Sequence, residues 1–177
     1  MSSRPCGELV ADTGPLIALA RLELLDSLPR LFERVWLTEA VFRESQYHPE
    51  RKDAIAIAEA IDRKLLTRHG TETDVTVLRH PGLGPGELSS IRLAHARQCP
   101  VLLDDKLARK LAIENGITVI GTIGLLLHAR ERKCISSIRP HLEALQDQGY
   151  FIAAELVTKA LELAGESPCF YPSNPSP

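Results

Sequence analysis

No apolar run in this chain approaches the ~20 residues needed to cross a bilayer; stretches such as Leu16 to Ala20 fall far short. Aromatic residues make up only 5% of the sequence and form no row suited to stacking bases. Positive charge is not in excess either: 21 Lys and Arg stand against 23 Asp and Glu, a net charge of −2. That balance excludes a generally basic protein, so a nucleic-acid partner requires a local basic face. The cysteines (Cys6, Cys99, Cys134, Cys169) are scattered without a C-x-x-C pair, which predicts reduced thiols in a cytoplasmic protein and disfavours disulfides and zinc. His48, His69, His80, His95, His128 and His141 show neither H-x₃-H nor H-E-x-x-H spacing. Met1 to Cys6 carries no apolar segment of signal-peptide length, so no secretory leader is expected. A Walker lysine and a nucleophile elbow are missing, and Gly82 to Gly86 departs from a dinucleotide fingerprint because Pro85 removes a donor.

What is present is an ordinary globular composition, 44% hydrophobic and 25% charged over 177 residues. That predicts one domain, residues 1–164, followed by a disordered tail, 165–177, with four prolines and three serines. Short apolar runs alternate with helical stretches. Strands are expected at Glu8–Ala11, Arg34–Leu37, Asp74–Leu78, Pro100–Leu103 and Ile117–Ile120. Helices are expected from Pro15 to Leu28, after Thr38 as N-cap, around Ile55 to Leu66, from Glu87, and from Lys106 to Asn115 with Gly116 closing the last turn. Three more follow, over Thr122–Lys133, Ile138–Gln148 and Phe151–Ala164. Strands separated by helices argue for an α/β protein with a parallel sheet covered on both faces, whose functional residues gather at the carboxyl ends of the strands.

Acidic residues occupy those positions. Asp12 ends the first strand, Asp104 and Asp105 end a later one, and Glu87 opens the helix after a glycine loop. Carboxylates brought together repel unless cations neutralise them, and oxygen ligands with open positions suit Mg²⁺ or Mn²⁺. The chemistry such a site supports is phosphodiester hydrolysis. Each acid taken singly is equally explained as a helix cap or a dipole partner, and Glu39 competes with Glu44 for a place in the set.

At these residues the chain resembles a known family. Val10-Ala11-Asp12-Thr13-Gly14-Pro15 resembles the opening strand and turn of PIN domains. Val41-Phe42-Arg43-Glu44, Gly84-Pro85-Gly86-Glu87 and Val101-Leu102-Leu103-Asp104-Asp105 are similar to their later acidic stations, in the same order over residues 8 to 135. The branch that it resembles is prokaryotic and related to VapC-type toxin ribonucleases. The resemblance implies a PIN-like, Rossmann-like α/β/α sandwich with a central parallel sheet. It also implies Mg²⁺- or Mn²⁺-dependent endoribonuclease activity, often as the toxin of a toxin–antitoxin pair. Asp12, Glu44 and Asp104 would be metal ligands, with Glu87 as a further catalytic carboxylate that is either another ligand or the holder of a metal-bound water, and Thr13 bonded to a ligand carboxylate or a scissile phosphate. Many relatives carry Thr-x-Asp at the last station where this chain has Leu103-Asp104-Asp105, so Asp104 is favoured and Asp105 is the second choice.

Lys106, Arg109 and Lys110 lie on the helix that starts at the site, where cations and a helix N-terminus suit a phosphate backbone; a solvated face explains them as well. RNA is the expected substrate, with single-stranded DNA as the alternative. A PIN-like fold that binds nucleic acid or protein without catalysis is the competing expectation, motivated by the low net positive charge and the sparse aromatics. The leucine-rich segments at Leu22–Leu28 and Leu125–Leu127 predict either core or an apolar face for a homodimer or an antitoxin.

Overall fold

The structure, a computed structural model, describes residues 6–70 and 80–167. Five strands, β1 (Cys6–Ala11), β2 (Phe32–Thr38), β3 (Thr67–His69), β4 (Val101–Leu102) and β5 (Val119–Ile120), form one sheet in the order β3-β2-β1-β4-β5. Every pairing is parallel. The helices are α1 (Thr13–Arg21), α2 (Leu28–Leu31), α3 (Glu39–Ser45), α4 (Lys52–Asp62), α5 (Pro85–Arg97), α6 (Lys106–Glu114), α7 (Thr122–Glu131), α8 (Arg139–Asp147) and α9 (Ala154–Leu163). This is the covered parallel sheet that the alternation predicts and the α/β/α sandwich that the resemblance implies.

Side chains of a strand alternate between faces, and the core divides accordingly. Leu9, Ala11, Val35, Leu37 and Leu102 join one cluster with Leu16 and Leu19 of α1, Ile57 of α4, Leu125 and Leu126 of α7, Leu142 of α8 and Leu161 of α9. Val10, Trp36, Val101 and Leu103 face the other way, onto Ile91, Leu93 and Ala94 of α5 and Ala108 and Ala112 of α6. At about 25 cal/mol per Å² of apolar surface removed from water, burial of this kind is the main term favouring the fold.

The expected helix from Pro15 to Leu28 is broken. α1 stops at Arg21, and a 3₁₀ turn (Leu25–Ser27) and α2 follow. Glu23 takes a left-handed backbone (φ 57), and the Leu24 N–H returns to the Leu19 carbonyl at 2.9 Å. Leu22, Leu24, Leu25 and Leu28 are nonetheless buried, so a bent chain holds the same leucines on the core, and Leu125 and Leu126 are core as well. The strand expected at Asp74–Leu78 lies outside the described residues, as do residues 168–177 and Cys169 of the predicted tail. The third strand that is described, β3, sits earlier and pairs with β2 through Trp36↔Thr67 to Thr38↔His69.

Two predicted helix ends have the geometry expected of them. Thr38 caps α3 by accepting from the Val41 N–H at 3.2 Å. Gly116 takes φ +73 just past α6, and the next N–H, of Ile117, closes onto Ala112 at 3.0 Å. Cys6, Cys99 and Cys134 are free thiols. Among the described residues no helix is long and apolar enough to cross a membrane.

The sheet order reverses between β1 and β4, and the crevice outside the carboxyl ends of strands at such a point is where open α/β sheets bind ligands. Asp12 follows β1 directly, with its N–H bonded to Leu102 of β4 at 3.1 Å. α1, which begins there, is tied to α4 by Arg21, whose Nε lies 2.6 Å from Asp53 Oδ2 with the carboxylate almost buried. Burial pushes the Asp53 carboxyl up, but the bond and charge of Arg21, then Arg51, outweigh it and hold it below its ordinary value. A lowered acid contributes stability above its unfolded pKa and loses it as pH falls through the folded one. Asp53→Asn is therefore expected to cost about 1 kcal/mol at pH 7, the bridge being partly solvated. In chemical denaturation the difference from wild type should shrink as pH falls through the acid range.

Candidate functional site

Four acids stand at the carboxyl end of the sheet, each delivered by a different element. Asp12 is buried, with 7% of its surface exposed. Glu44, near the end of α3, is exposed and reaches across to two other elements. Its Oε2 accepts from the Thr13 hydroxyl at 2.6 Å, and its Oε1 accepts from the Gly86 N–H at 2.8 Å. Thr13 thus bonds a carboxylate at the start of α1. Gly86 is required by this contact, because a Cβ there would stand 2.3 Å from Glu44 Oε2 and 2.9 Å from Oε1. Glu87 turns back to accept from the Gly84 N–H at 2.8 Å, at the start of α5.

The adjacent aspartates after β4 are separated by what they bond. Asp105 Oδ1 accepts from the N–H groups of Leu107 and Ala108, both at 2.8 Å, and so caps α6. The second-choice ligand therefore serves its own helix. Asp104 instead accepts from the Thr122 N–H at 2.8 Å and the Thr122 hydroxyl at 2.5 Å, at the start of α7, and from the hydroxyl of Tyr150. Thr122 itself is fully buried. Burial first, then its bond to Asp104, push the Tyr150 phenol well above its ordinary value, so it acts as a donor. Tyr150 lies outside the motifs, and Thr122, which ends the strand and turn expected after Asp104, carries no predicted site role; their hydroxyl contacts join segments distant in the chain.

The basic residues expected to meet a phosphate backbone are divided. Arg109 Nη1 donates to the Leu103 carbonyl at 2.9 Å, and Gly121 leaves room for it, a Cβ there meeting that nitrogen at 2.7 Å. Lys110 lies 3.8 Å from Glu114 one turn along an exposed face. Lys106 is exposed and, with Arg109 and Asp104, lines a cavity of about 1050 Å³ beside β5, whose walls include Ile120, Ile123 and Tyr150. Glu39 is held elsewhere, bonded to Arg68 at 2.6 Å.

Electrostatics link the first three acids. The Asp12 carboxyl is pushed up to about 7, chiefly by burial and further by the charges of Glu87 and Glu44, while the N–H groups of Thr13 and Gly14 pull the other way. The donors at hand are all oxygen, which suits a hard cation, and a doubly charged ion would offset both the burial and the neighbouring negative charge. Among the described residues, no three His, Cys, Asp or Glu side chains already form a ligand-like group.

A parallel sheet in this order with acids gathered at its switch point is the arrangement of a PIN domain, and the sequence agrees: the PIN-domain family DUF3368 matches residues 8–166. The chain belongs to that family. The PIN domain is a nuclease fold, and its members typically use divalent metal ions. The match extends past the residue-135 limit of the motif resemblance and takes in α8 and α9. No curated protein matches the chain.

Two outcomes follow from the geometry. An acid with a raised folded-state pKa favours folding below its unfolded value, and that contribution is lost as pH rises through the folded value. In metal-free buffer Asp12→Asn is therefore expected to match wild-type stability below pH ~4. It should gain between pH ~4 and 7 and remain above wild type at pH 8 by a few kcal/mol, roughly 5 °C or more in melting temperature. Gly86→Ala should fold with little loss, because the clash is with the end of a flexible side chain. A crystal structure of that variant should show the Glu44 carboxylate displaced from the α5 N-terminus.

Proposed function

We propose that this chain is a divalent-metal-dependent endoribonuclease. The observation that carries this reading is the convergence of Asp12, Glu44 and Glu87, three acids from separate elements, at the switch point of the sheet, where the charges of the two glutamates add to the burial that raises the Asp12 carboxyl. Asp12, Glu44 and Asp104 are the residues assigned to hold Mg²⁺ or Mn²⁺, with Glu87 beside them. When bound, such an ion polarises a phosphodiester and acidifies water near it.

The chain's own residues supply the rest. Thr13 holds Glu44 by its hydroxyl, and the Gly86 N–H fixes the second oxygen of the same carboxylate. Thr122 and Tyr150 fix Asp104. Arg109 braces the end of β4 through the Leu103 carbonyl, and Lys106 is exposed beside Asp104, where it meets the phosphate backbone of RNA or single-stranded DNA. Lys110 adds positive charge farther along α6. Asp105 is assigned to capping rather than to the metal. A homodimer, a cytoplasmic setting and a toxin's role opposed by an antitoxin accord with the family resemblance.

One observation favours a second reading, a PIN fold that binds without cutting: the acids do not already form a three-ligand group among the described residues. Mn²⁺ separates the two. A ligand that binds the native state raises the melting temperature by linkage, so millimolar Mn²⁺ is expected to stabilise wild type by several degrees and Asp12→Asn much less. Asp12→Asn and Asp104→Asn should each lower cleavage of single-stranded RNA by at least ~100-fold. Full activity in both variants would refute the assignment, and the absence of any Mn²⁺ shift in a folded protein would favour the binding module.

A further inference from the structure

Asp104 is held from outside its own neighbourhood. Where Asp105 bonds its own helix, Asp104 takes its hydrogen bonds, among the described residues, from α7 and from the corner between α8 and α9. That corner is sharply defined. Gly149 takes φ +83, its N–H bonds Gln146 at 2.9 Å, and the Tyr150 N–H returns to Leu145 at 2.9 Å, closing α8. The Tyr150 ring packs against the main core cluster while Ile152 is buried just beyond it. The phenol is thereby aimed by a closed helix end and a packed ring, and its hydroxyl meets the Asp104 carboxylate.

A carboxylate offers about four acceptor sites. At Asp104 one on Oδ1 takes the Thr122 N–H, and two on Oδ2 take the hydroxyls of Thr122 and Tyr150. Among the described residues, one acceptor site, on Oδ1, is left for a ligand. With both hydroxyls on Oδ2, the carboxylate has neither freedom to rotate nor a second oxygen to offer.

We propose that Tyr150 is a positioning residue of the acidic site, which with Thr122 locks the Asp104 carboxylate so that it meets a divalent cation through a single oxygen. The corner between α8 and α9 is thus part of the site, although it lies far along the chain from every acidic motif. This inference rests on the reading that Asp12, Glu44 and Asp104 hold a divalent ion.

The test compares wild type with Tyr150→Phe, which keeps the ring and removes the hydroxyl, by titrating Mn²⁺ and measuring the free ion by electron paramagnetic resonance. Loss of a group that orients a ligand typically weakens metal affinity or activity by 10- to 100-fold. Tyr150→Phe is expected to raise the half-saturating Mn²⁺ concentration about 10-fold and to lower kcat on single-stranded RNA by about as much. The KM for RNA should stay within about twofold, since the phenol faces Asp104 rather than the strand. Tyr150→Leu, which keeps apolar bulk, should weaken Mn²⁺ binding to the same degree. If wild type binds Mn²⁺ and both variants bind it equally well, even with a lowered melting temperature, Tyr150 is structural and the proposal is overturned. If wild type itself shows no saturable Mn²⁺ binding, the metal reading fails and this inference fails with it.

Discussion

Acids crowded at the end of a buried parallel sheet repel one another, and the low polarity of their surroundings makes each charge harder to keep. The chain meets this constraint with helix N-termini. α5 gives the Gly86 N–H to Glu44 and the Gly84 N–H to Glu87, α6 gives two N–H groups to Asp105, and α7 gives the Thr122 N–H to Asp104. The unsatisfied amides of a helix start carry partial positive charge, so they are matched to carboxylates by the same physics that binds anions. Asp12, at the start of α1, has the N–H groups of Thr13 and Gly14. Buried and facing Glu87 and Glu44, it is the acid whose proton is held to about 7.

Close approach is the second requirement, and small residues meet it. Without a side chain at Gly86, the first turn of α5 comes directly onto Glu44; without one at Gly121, Arg109 and Asp104 share the space before α7. The two-sided core makes these approaches reproducible. Leu9 and Ala11 anchor β1 to one layer and Val10 to the other, so Asp12 emerges from a strand gripped on both faces.

Much of this arrangement is legible in the amino-acid order. Asp12 follows an apolar run and precedes Pro15, Thr38 has the chemistry of an N-cap, and Gly116 lies where a left-handed residue must end α6; each is a local rule with a local cause. Glu44 is distinguishable from Glu39 only by partners brought together in three dimensions, Thr13 and Gly86 for one and Arg68 for the other. β3 escapes a pattern search because it is three residues at a sheet edge with no alternation of apolar and polar side chains. The bend after α1 escapes it too, since leucines spaced for a helix pack equally well on a turn. Tyr150 is the clearest case. Nothing beside it in the chain marks a tyrosine whose hydroxyl reaches a carboxylate 46 positions earlier.

The sheet is lopsided in a way that bears on this division of labour. β1 and β2 are long and register over Cys6↔Phe32 to Val10↔Trp36, whereas β4 and β5 are two residues each. The backbone that carries Asp12 is fixed by an extended ladder, whereas the backbone that carries Asp104 has a short one, ending at the Leu103 N–H on the Ile120 carbonyl, to which Arg109 on the Leu103 carbonyl is added. Thermal fraying would accordingly begin on the β4–β5 side. Warming would disable such a centre while most of the molecule kept its shape, making the working temperature range narrower than the range over which the protein survives.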